Sequence, residues 1–564
     1  MILGIDVGGT HTDAVLLNKQ GLLASAKVVT NHDNLLESVH EALEVILKEH
    51  ADLDLRRFNL STTLCTNAIV QDELSNVGVL VTAGPGIDPA QHAIGDHYTV
   101  LSGGLDHRGS EIKPLDLDAS LKCVEDALQQ GVRVFSVVSK FSPRNPKHEE
   151  QLAELIGDRC DFKTLGHTLS GQLNFPRRIA TSYYNSAVWP IFNSFANSVT
   201  ESLKDFGLNP PHVNILKADG GTMTLSQARQ TPVESIFSGP SASIMGIMAL
   251  CDIREDALML DIGGTTTDVA VFAGGDPLIE AESVELAHRP TLVRAMKSKS
   301  IGLGGDSAVT AVDGRLQVGP KRLGACMAQG GACPTLVDAL NCVKIFAYGD
   351  TQASDRGMNE LGALVGQSCE QVSWEVIRAV CERIREETGQ MLDEINERPV
   401  YTVHELLEYR KIQPRKIYLM GGPAKVLAPF LSKVFGMAVL VPDNYAVANA
   451  LGAALAKPTM QAELFADTEK RIMTIPVLGV REEISTRYSL EKARYDVVEH
   501  LVSYLQNRLD WPIPHSEAEI IEESAMNMVK DVYQVGQDIR VKCQIKPGIS
   551  PDYEHAVRCL CKEH

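Results

Sequence analysis

The chain has 564 residues, of which 44% are hydrophobic and 22% charged, as is typical of a globular protein with two or three domains. Its net charge is −19 and only 5% of its residues are aromatic, so we expect neither a nucleic-acid-binding surface nor attraction to an anionic membrane. The twelve cysteines are scattered, which indicates reduced thiols. No apolar run reaches transmembrane length, and the first residues lack the basic start of a signal peptide. Together these features predict a cytoplasmic protein.

The first predicted element is a β-hairpin around the octet DVGGTHTD at 6–13, which two apolar segments flank. Glycines allow positive φ and the close approach of a ligand, and bare N–H groups with threonine hydroxyls suit phosphate oxygens. We therefore predict that a nucleotide phosphate is bound by Gly8, Gly9, Thr10 and Thr12. Asp6 is predicted to be catalytic and to hold Mg²⁺, directly or through water.

Strands and helices alternate along the rest of the first part, which predicts an α/β fold. After a strand near 22–29 comes a helix with apolar Leu35, Val39, Leu43 and Ile46 at helical spacing. Further strands are predicted at 77–82 and 132–138, and a helix at 181–203.

The octet returns as DIGGTTTD at 261–268, with six of eight positions identical. A duplicated structural turn would explain the glycines, but it does not explain why the acidic and hydroxyl positions repeat with them. We therefore predict two like halves that face one nucleotide, with Asp261 as the second catalytic and Mg²⁺-binding carboxylate. The phosphate contacts predicted in this copy are Gly263, Gly264, Thr265 and Thr267.

The remaining elements include a long helix at 374–396, a strand at 417–420 and an Ala/Gly-rich helix at 446–456. After residue 458 the chain is richer in charge and lacks glycine-rich loops. There we predict a small α+β region with helices at 490–505 and 518–529 and a strand at 539–545. The predicted divisions are 1–180, 181–457 and 458–564.

Over about residues 1–457 the chain resembles the hydantoinase A / 5-oxoprolinase family of the actin–Hsp70–sugar-kinase superfamily. The ordered segments that carry the resemblance are 6–13, 61–68, 141–149, 219–223, 238–242, 261–268, 301–306, 318–320, 334–339 and 419–424. The resemblance implies two ribonuclease-H-like halves around an ATP cleft, with crossing helices after Ser241 and at 446–456. It places adenosine against Gly421, Gly422, Pro423 and Ala424, where a side chain would block a flat purine.

The resemblance also implies ATP and Mg²⁺ as cofactors and the ATP-dependent opening of a cyclic amide. In that chemistry an amide oxygen takes the γ-phosphoryl group and water then attacks the activated carbon. A separate hydrolase B-type subunit and a homodimer both stay open. Two other functions use the same fold: an ATP-driven chaperone or reactivase, and a small-molecule kinase.

The match fails where relatives would shape the substrate site. Gly171 and Gln172 stand in the place of a Ser-His-Glu-Val segment, and Lys297 and Lys299 in the place of Asp-x-His. Lysine can hold a carboxylate or phosphate, so we expect a small anionic or carbonyl-rich substrate near these lysines and two polar residues, Thr63 and Asn67. A solvated basic turn is the alternative. We also expect that the chain alone does not hydrolyse hydantoin or 5-oxoproline efficiently.

Overall fold

The computed structural model describes residues 1–31, 34–49, 54–280, 283–320, 322–397 and 410–561. The first half is built on a six-stranded sheet, the first sheet. Its strands, in spatial order, are Thr222–Thr224, His212–Leu216, Arg57–Thr62, Ile2–Val7, His11–Asn18 and Gly21–Val29. The last three are antiparallel, whereas Arg57–Thr62 and His212–Leu216 run parallel to Ile2–Val7. Helix Leu35–Glu49 packs on this sheet through the predicted apolar positions.

A second, smaller body is inserted between strands Arg57–Thr62 and His212–Leu216. It holds a parallel sheet of four strands, in the order Phe162–Leu165, Val134–Ser139, Val77–Thr82 and His97–Leu101. The helices of this segment are Leu64–Val70, Leu117–Gln129, Lys147–Ile156, Gly166–Leu169 and Phe175–Asp205, and a short hairpin joins Gly104–Leu105 to Glu111–Lys113. The expected division at residue 180 falls inside helix Phe175–Asp205. Because His212–Leu216 and Thr222–Thr224 pair within the first sheet, the first half extends well beyond that residue.

The second half repeats the same topology. Its sheet contains, in order, Asp276–Pro277, Thr267–Ala273, Ala257–Ile262, Lys416–Met420 and Ala438–Leu440, and Ser298–Ile301 also pairs with Thr267–Ala273. Strands Ala257–Ile262 and Thr267–Ala273 form the antiparallel hairpin. Strands Lys416–Met420 and Ala438–Leu440 run parallel to Ala257–Ile262, as the corresponding strands do in the first sheet. Its helices are Leu336–Cys342, Thr351–Val365, Cys369–Asn396 and Ala424–Phe435, and small hairpins lie at Glu285–Leu286 with Arg289–Pro290 and at Val309–Val312 with Arg315–Val318. The two like α/β halves confirm the predicted fold class.

Two helices rich in small residues, Ser238–Leu250 and Ala448–Leu455, cross between the halves. A Cβ added to Gly246 would overlap the Ala448 carbonyl, and one added to Gly452 would overlap the Ala242 carbonyl. Only glycine permits backbones to approach so closely. The crossing helices therefore lie where the resemblance places them.

The C-terminal region is α+β, as predicted. Its antiparallel sheet has the order Val480–Glu483, Ile472–Ile475, Gln461–Asp467, Tyr533–Ile545 and Ala518–Lys530, and helix Leu490–Leu509 covers it. The predicted helix at 518–529 is wrong. That segment is a strand, because it pairs along its whole length with Tyr533–Ile545 across a two-residue turn, and tertiary pairing overrides a weak local helix preference.

A last short helix, Glu554–Leu560, returns to pack with the core around the crossing helices. Helix Leu225–Gln230 completes the set of α-helices in the described ranges. Among the helices described above, none is long and apolar enough to cross a membrane.

Candidate functional site

The turns of the two repeated hairpins face each other across the junction of the halves. Gly8 N–H donates to His11 O at 3.1 Å, and Gly263 N–H donates to Thr266 O at 2.9 Å, so both turns close in the same way. A Cβ added to Gly264 would lie 3.2 Å from Cγ2 of Thr10. The fold therefore brings the two octets into one cleft.

The glycines of these turns serve close packing and not unusual backbone angles. None of Gly8, Gly9, Gly263 and Gly264 has φ in the left-handed range, which corrects the expectation of positive φ. A Cβ on Gly264 would lie 2.9 Å from Oδ2 of Asp306, whereas the space beside Gly9 is open. Bare backbone at these positions leaves room for neighbouring groups and for a ligand.

Asp6 and Asp261 lie on the first strands of the two hairpins, Ile2–Val7 and Ala257–Ile262, which we call the inner strands, and they meet at the base of the cleft. Asp6 is 4% exposed, and burial raises its pKa from 3.8 to about 7. Within the described ranges its Oδ1 finds no hydrogen-bond partner. Burial also raises the pKa of Asp261, although its Oδ2 accepts a hydrogen bond from Ser243 Oγ at 2.7 Å. Asn449, on the second crossing helix, lies close enough to both carboxyl groups to lower their pKa.

The second strand of each hairpin adds another carboxyl group. Asp13 lies opposite Asp6 in the first hairpin, and Asp268 lies opposite Asp261 in the second. Lys27 Nζ lies 2.7 Å from Asp13 Oδ1, so one of them has a cation beside it. The other, Asp268, has its pKa raised to about 7 by burial and by the neighbouring Asp261. The two outer carboxyl groups therefore differ in charge compensation.

The magnesium that the resemblance implies fits this arrangement. The unpartnered Oδ1 of Asp6 is a hard oxygen ligand, and Mg²⁺ prefers one or two carboxylates with water and phosphate oxygens. No group of three or more His, Cys, Asp or Glu side chains that could hold a metal occurs among the residues whose structure is described. An Mg²⁺ ion at these carboxylates would take its remaining ligands from water or phosphate oxygens.

The four octet threonines that we predict to contact phosphate divide into two classes. Thr12 is fully buried with its hydroxyl 3.1 Å from that of Thr30, and Thr267 is fully buried and donates to Leu303 O at 2.7 Å. The hydroxyl of Thr12 is thus engaged by a neighbouring side chain and that of Thr267 by a backbone carbonyl, and the phosphate contacts of these two residues stay predictions. Thr10 and Thr265 lie at the turn tips with exposed surface and fit the predicted role.

The glycine pair expected at adenosine lies between strand Lys416–Met420 and helix Ala424–Phe435. Gly421 has φ of +97°, and a Cβ there would overlap the Ile262 backbone just before the turn of the second octet. A Cβ on Gly422 would meet nothing within 4 Å. Pro423 is the residue immediately before the helix, and Ala424, its first residue, is buried. The turn therefore abuts the cleft, with open space at Gly422.

The predicted substrate residues separate into two places. Thr63 and Asn67 lie where strand Arg57–Thr62 ends, beside the start of the first crossing helix, and Asn67 Nδ2 donates to Thr63 Oγ1 at 3.3 Å. Lys297 Nζ pairs with Glu280 at 2.7 Å and Lys299 Nζ with Glu387 at 2.9 Å, on the second half. Each lysine is therefore paired with a glutamate of the second half. The structure does not form one site from these lysines, Thr63 and Asn67.

The sequence reasoning missed three polar residues of the cleft. Ser243 and Asn449 contact the inner carboxyl groups, and Asp306 N–H donates to Gly264 O at 2.7 Å while its side chain pairs with Arg322 at 3.1 Å. Asp306 ends a glycine-rich segment, and that pattern could have indicated a residue of the cleft. Asn449 is a polar residue in an otherwise apolar helix, which is a weaker indication.

Comparison with known proteins agrees with this geometry. A family model for the hydantoinase/oxoprolinase N-terminal region matches residues 2–160, and the hydantoinase/oxoprolinase model matches residues 178–462. The chain belongs to the hydantoinase/oxoprolinase family.

Among curated relatives of this family member, the caprolactamase subunit alpha of Pseudomonas jessenii is 27% identical over 406 residues, covering 64% of the chain. The chain spans 57% of that relative's length. A nucleotide-free acetone carboxylase structure superposes with a TM-score of 0.70 at 15% identity, covering 98% of this chain and 88% of that one. The ATP-dependent caprolactamase structure from Pseudomonas jessenii gives 0.69 at 20% identity, covering 96% and 87%. At these identities the structures show a shared fold.

Proposed function

We propose that the chain is the ATP-using part of a hydrolase that opens a cyclic amide or a related carbonyl compound. The observation that carries the proposal is the pair of octet turns in contact, with Asp6 and Asp261 beneath them. The likeness to a caprolactamase subunit and to an ATP-dependent caprolactamase supports the substrate class.

The chemistry follows from the weakness of amides as electrophiles. Transfer of the γ-phosphoryl group to the amide oxygen creates a leaving group, so that water can attack the carbon. Phosphoryl transfer needs mainly positioning and charge neutralisation. Bare N–H groups and the hydroxyls of Thr10 and Thr265 would bind the phosphates, and Asp6 and Asp261 would hold Mg²⁺, which neutralises phosphate charge when bound. Asn449, which lies beside both carboxylates, would help to position them.

A second subunit is part of the proposal. The chain spans 57% of the caprolactamase subunit, which is itself named as one subunit. We therefore propose that ring opening is completed with a separate hydrolase B-type chain, and that this chain alone turns over hydantoin and 5-oxoproline slowly.

ATP turnover by the pure protein across cyclic amides, ureas and carboxylates tests the proposal. A cyclic amide should stimulate ATP hydrolysis, and Asp6→Ala and Asp261→Ala should each abolish it in folded protein. Lys299→Gln is the matched control, since Lys299 pairs with Glu387 away from the cleft. Wild-type ATPase rates in both aspartate variants would refute the two-turn site.

The reaction products separate the remaining functions. A stable phosphorylated product would identify a kinase, and stimulation only by a protein would identify a chaperone or reactivase. Coupled ring opening of hydantoin or 5-oxoproline by this chain alone above about 1 s⁻¹, the low end of ordinary enzyme rates, would contradict the need for a partner.

One further carbonyl class comes from a structural neighbour. The acetone carboxylase structure superposes over 98% of the chain, which includes the C-terminal region. A ketone with bicarbonate therefore belongs in the same panel, and ATP turnover that needs both would favour carboxylation over amide hydrolysis.

A further inference from the structure

A separate cavity of about 350 Å³ lies at the meeting point of four parts of the chain. Its walls come from residues 162–172 of the inserted body, 217–234 of the first half, 292–294 of the second half and 459–463 of the C-terminal sheet, together with single residues of that region. None of the octet residues lines it. Its volume is that of a small-molecule site.

One wall carries a cluster of charges around Asp219, which is 2% exposed. Asp219 accepts hydrogen bonds from Thr459 Oγ1 at 2.9 and 3.0 Å and from Gly221 N–H at 3.0 Å. Lys217 Nζ lies 2.8 Å from Glu234 and 3.7 Å from Asp219. The lysine and the aspartate thus have close partners within the cluster.

Arg294 completes this cluster but keeps binding capacity. Its Nη1 lies 3.7 Å from Asp219 Oδ2, which is too far for a hydrogen bond. That nitrogen is buried and has no hydrogen-bond partner in the described part of the chain. A buried guanidinium N–H without an acceptor is costly, and a carboxylate in the cavity would accept from it.

Glu463 lines the cavity from the C-terminal sheet, and its side chain is 3% exposed. Arg540 binds its Oε1, whereas its buried Oε2 has no hydrogen-bond partner within the same described ranges. A Cβ on Gly171 would lie only 2.7 Å from the Cβ of Glu463. The glycine that departs from the family pattern therefore lets this carboxylate into the wall of the cavity.

The cavity wall thus contains one guanidinium nitrogen and one carboxylate oxygen that have no hydrogen-bond partner in the described part of the chain, contributed by different parts of the fold, and Lys542 also lines it. We infer that it binds a small amino acid as a zwitterion, with the carboxylate at Arg294 and Lys217 and the ammonium at Glu463. A carboxylate alone would satisfy only the arginine, and an amine alone only the glutamate. A zwitterion satisfies both without adding net charge to a buried site.

Calorimetric titration without nucleotide tests the inference, so the result is independent of the proposed function. The probes are three zwitterions without net charge, β-alanine, γ-aminobutyrate and 5-aminovalerate, each compared with the carboxylate and the amine of similar length that lack its second charge, which for β-alanine are propionate and propylamine. At least one amino acid should bind, and it should bind at least ten-fold more tightly than its single-charge counterparts. Failure of all three amino acids to bind, or equal binding of β-alanine and propionate, would overturn the inference with no variant needed.

Variants then assign the two ends. Arg294→Met should weaken amino-acid binding at least ten-fold, and Glu463→Gln should remove the preference for β-alanine over propionate. Lys297→Gln, which loses a pair with Glu280 outside the cavity lining, is the control and should bind normally. A far-UV circular dichroism spectrum and a cooperative thermal transition like those of the wild type show that each variant is folded. Unchanged binding in both folded variants would also overturn the assignment.

Discussion

Replacing Asp6 by asparagine should make the protein more stable while abolishing its ATPase activity. Burial raises the pKa of Asp6 from 3.8 to about 7, so at pH 8 the folded protein carries an ionised carboxylate that the fold disfavours. The shift of about 3 units corresponds to roughly 4 kcal/mol, at about 1.4 kcal/mol per unit. Asparagine keeps the shape of the side chain but must hydrogen-bond its amide, which costs about 1 kcal/mol.

The raised pKa of Asp6 also determines how the stability difference between the two proteins changes with pH. Between about pH 4 and 7 the folded state binds the proton of Asp6 and the unfolded state does not, so this group's contribution to wild-type stability falls as pH rises. The advantage of Asp6→Asn should therefore shrink from roughly 3 kcal/mol net at pH 8 to less than about 1 kcal/mol at pH 5. With about 2–4 °C per kcal/mol for a domain of about 150–250 residues, Tm should rise by about 6–12 °C at pH 8.

Scanning calorimetry of both proteins with EDTA and without nucleotide, at several pH values, measures this difference. Asp219→Asn is the matched control, because Asp219 is equally buried but Lys217 and Arg294 overcome the effect of burial and lower its pKa. That variant should be less stable than wild type at pH 8. An Asp6→Asn Tm equal to or below wild type at pH 8, or a difference that does not change with pH, would refute the reasoning.

Three further predictions concern the cleft, the inserted body and the basic turn. Gly422→Val should raise the KM for ATP at least ten-fold, since its side chain would fill the open space beside the turn; an unchanged KM in folded protein would count against adenosine there. Glu149→Ala should lower stability by about 3–5 kcal/mol in urea unfolding, because it leaves the buried Arg178 without its carboxylate; a loss below 1 kcal/mol would contradict this. Combined Lys297→Gln and Lys299→Gln should leave ATP affinity and turnover within two-fold, because each lysine pairs with a glutamate outside the cleft; a large loss of affinity would move them to the phosphate site.

Local patterns in the sequence were sufficient for the two hairpins, for the alternation of strands and helices and for the glycine turn after Met420. In each case the residues that decide the structure are neighbours in the chain. An apolar strand on either side of a turn encodes a hairpin, and a repeat of that unit implies a repeat of the topology.

Tertiary structure alone decided which partners those residues meet. Segment 518–530 is a strand because Tyr533–Ile545 pairs with it, and Lys299 is neutralised because helix Cys369–Asn396 brings Glu387 to it. Asn449 reaches Asp6 from more than 400 positions away along the chain. Side-chain roles of this kind depend on the packing of distant segments, and no pattern of adjacent residues records which groups burial will place side by side.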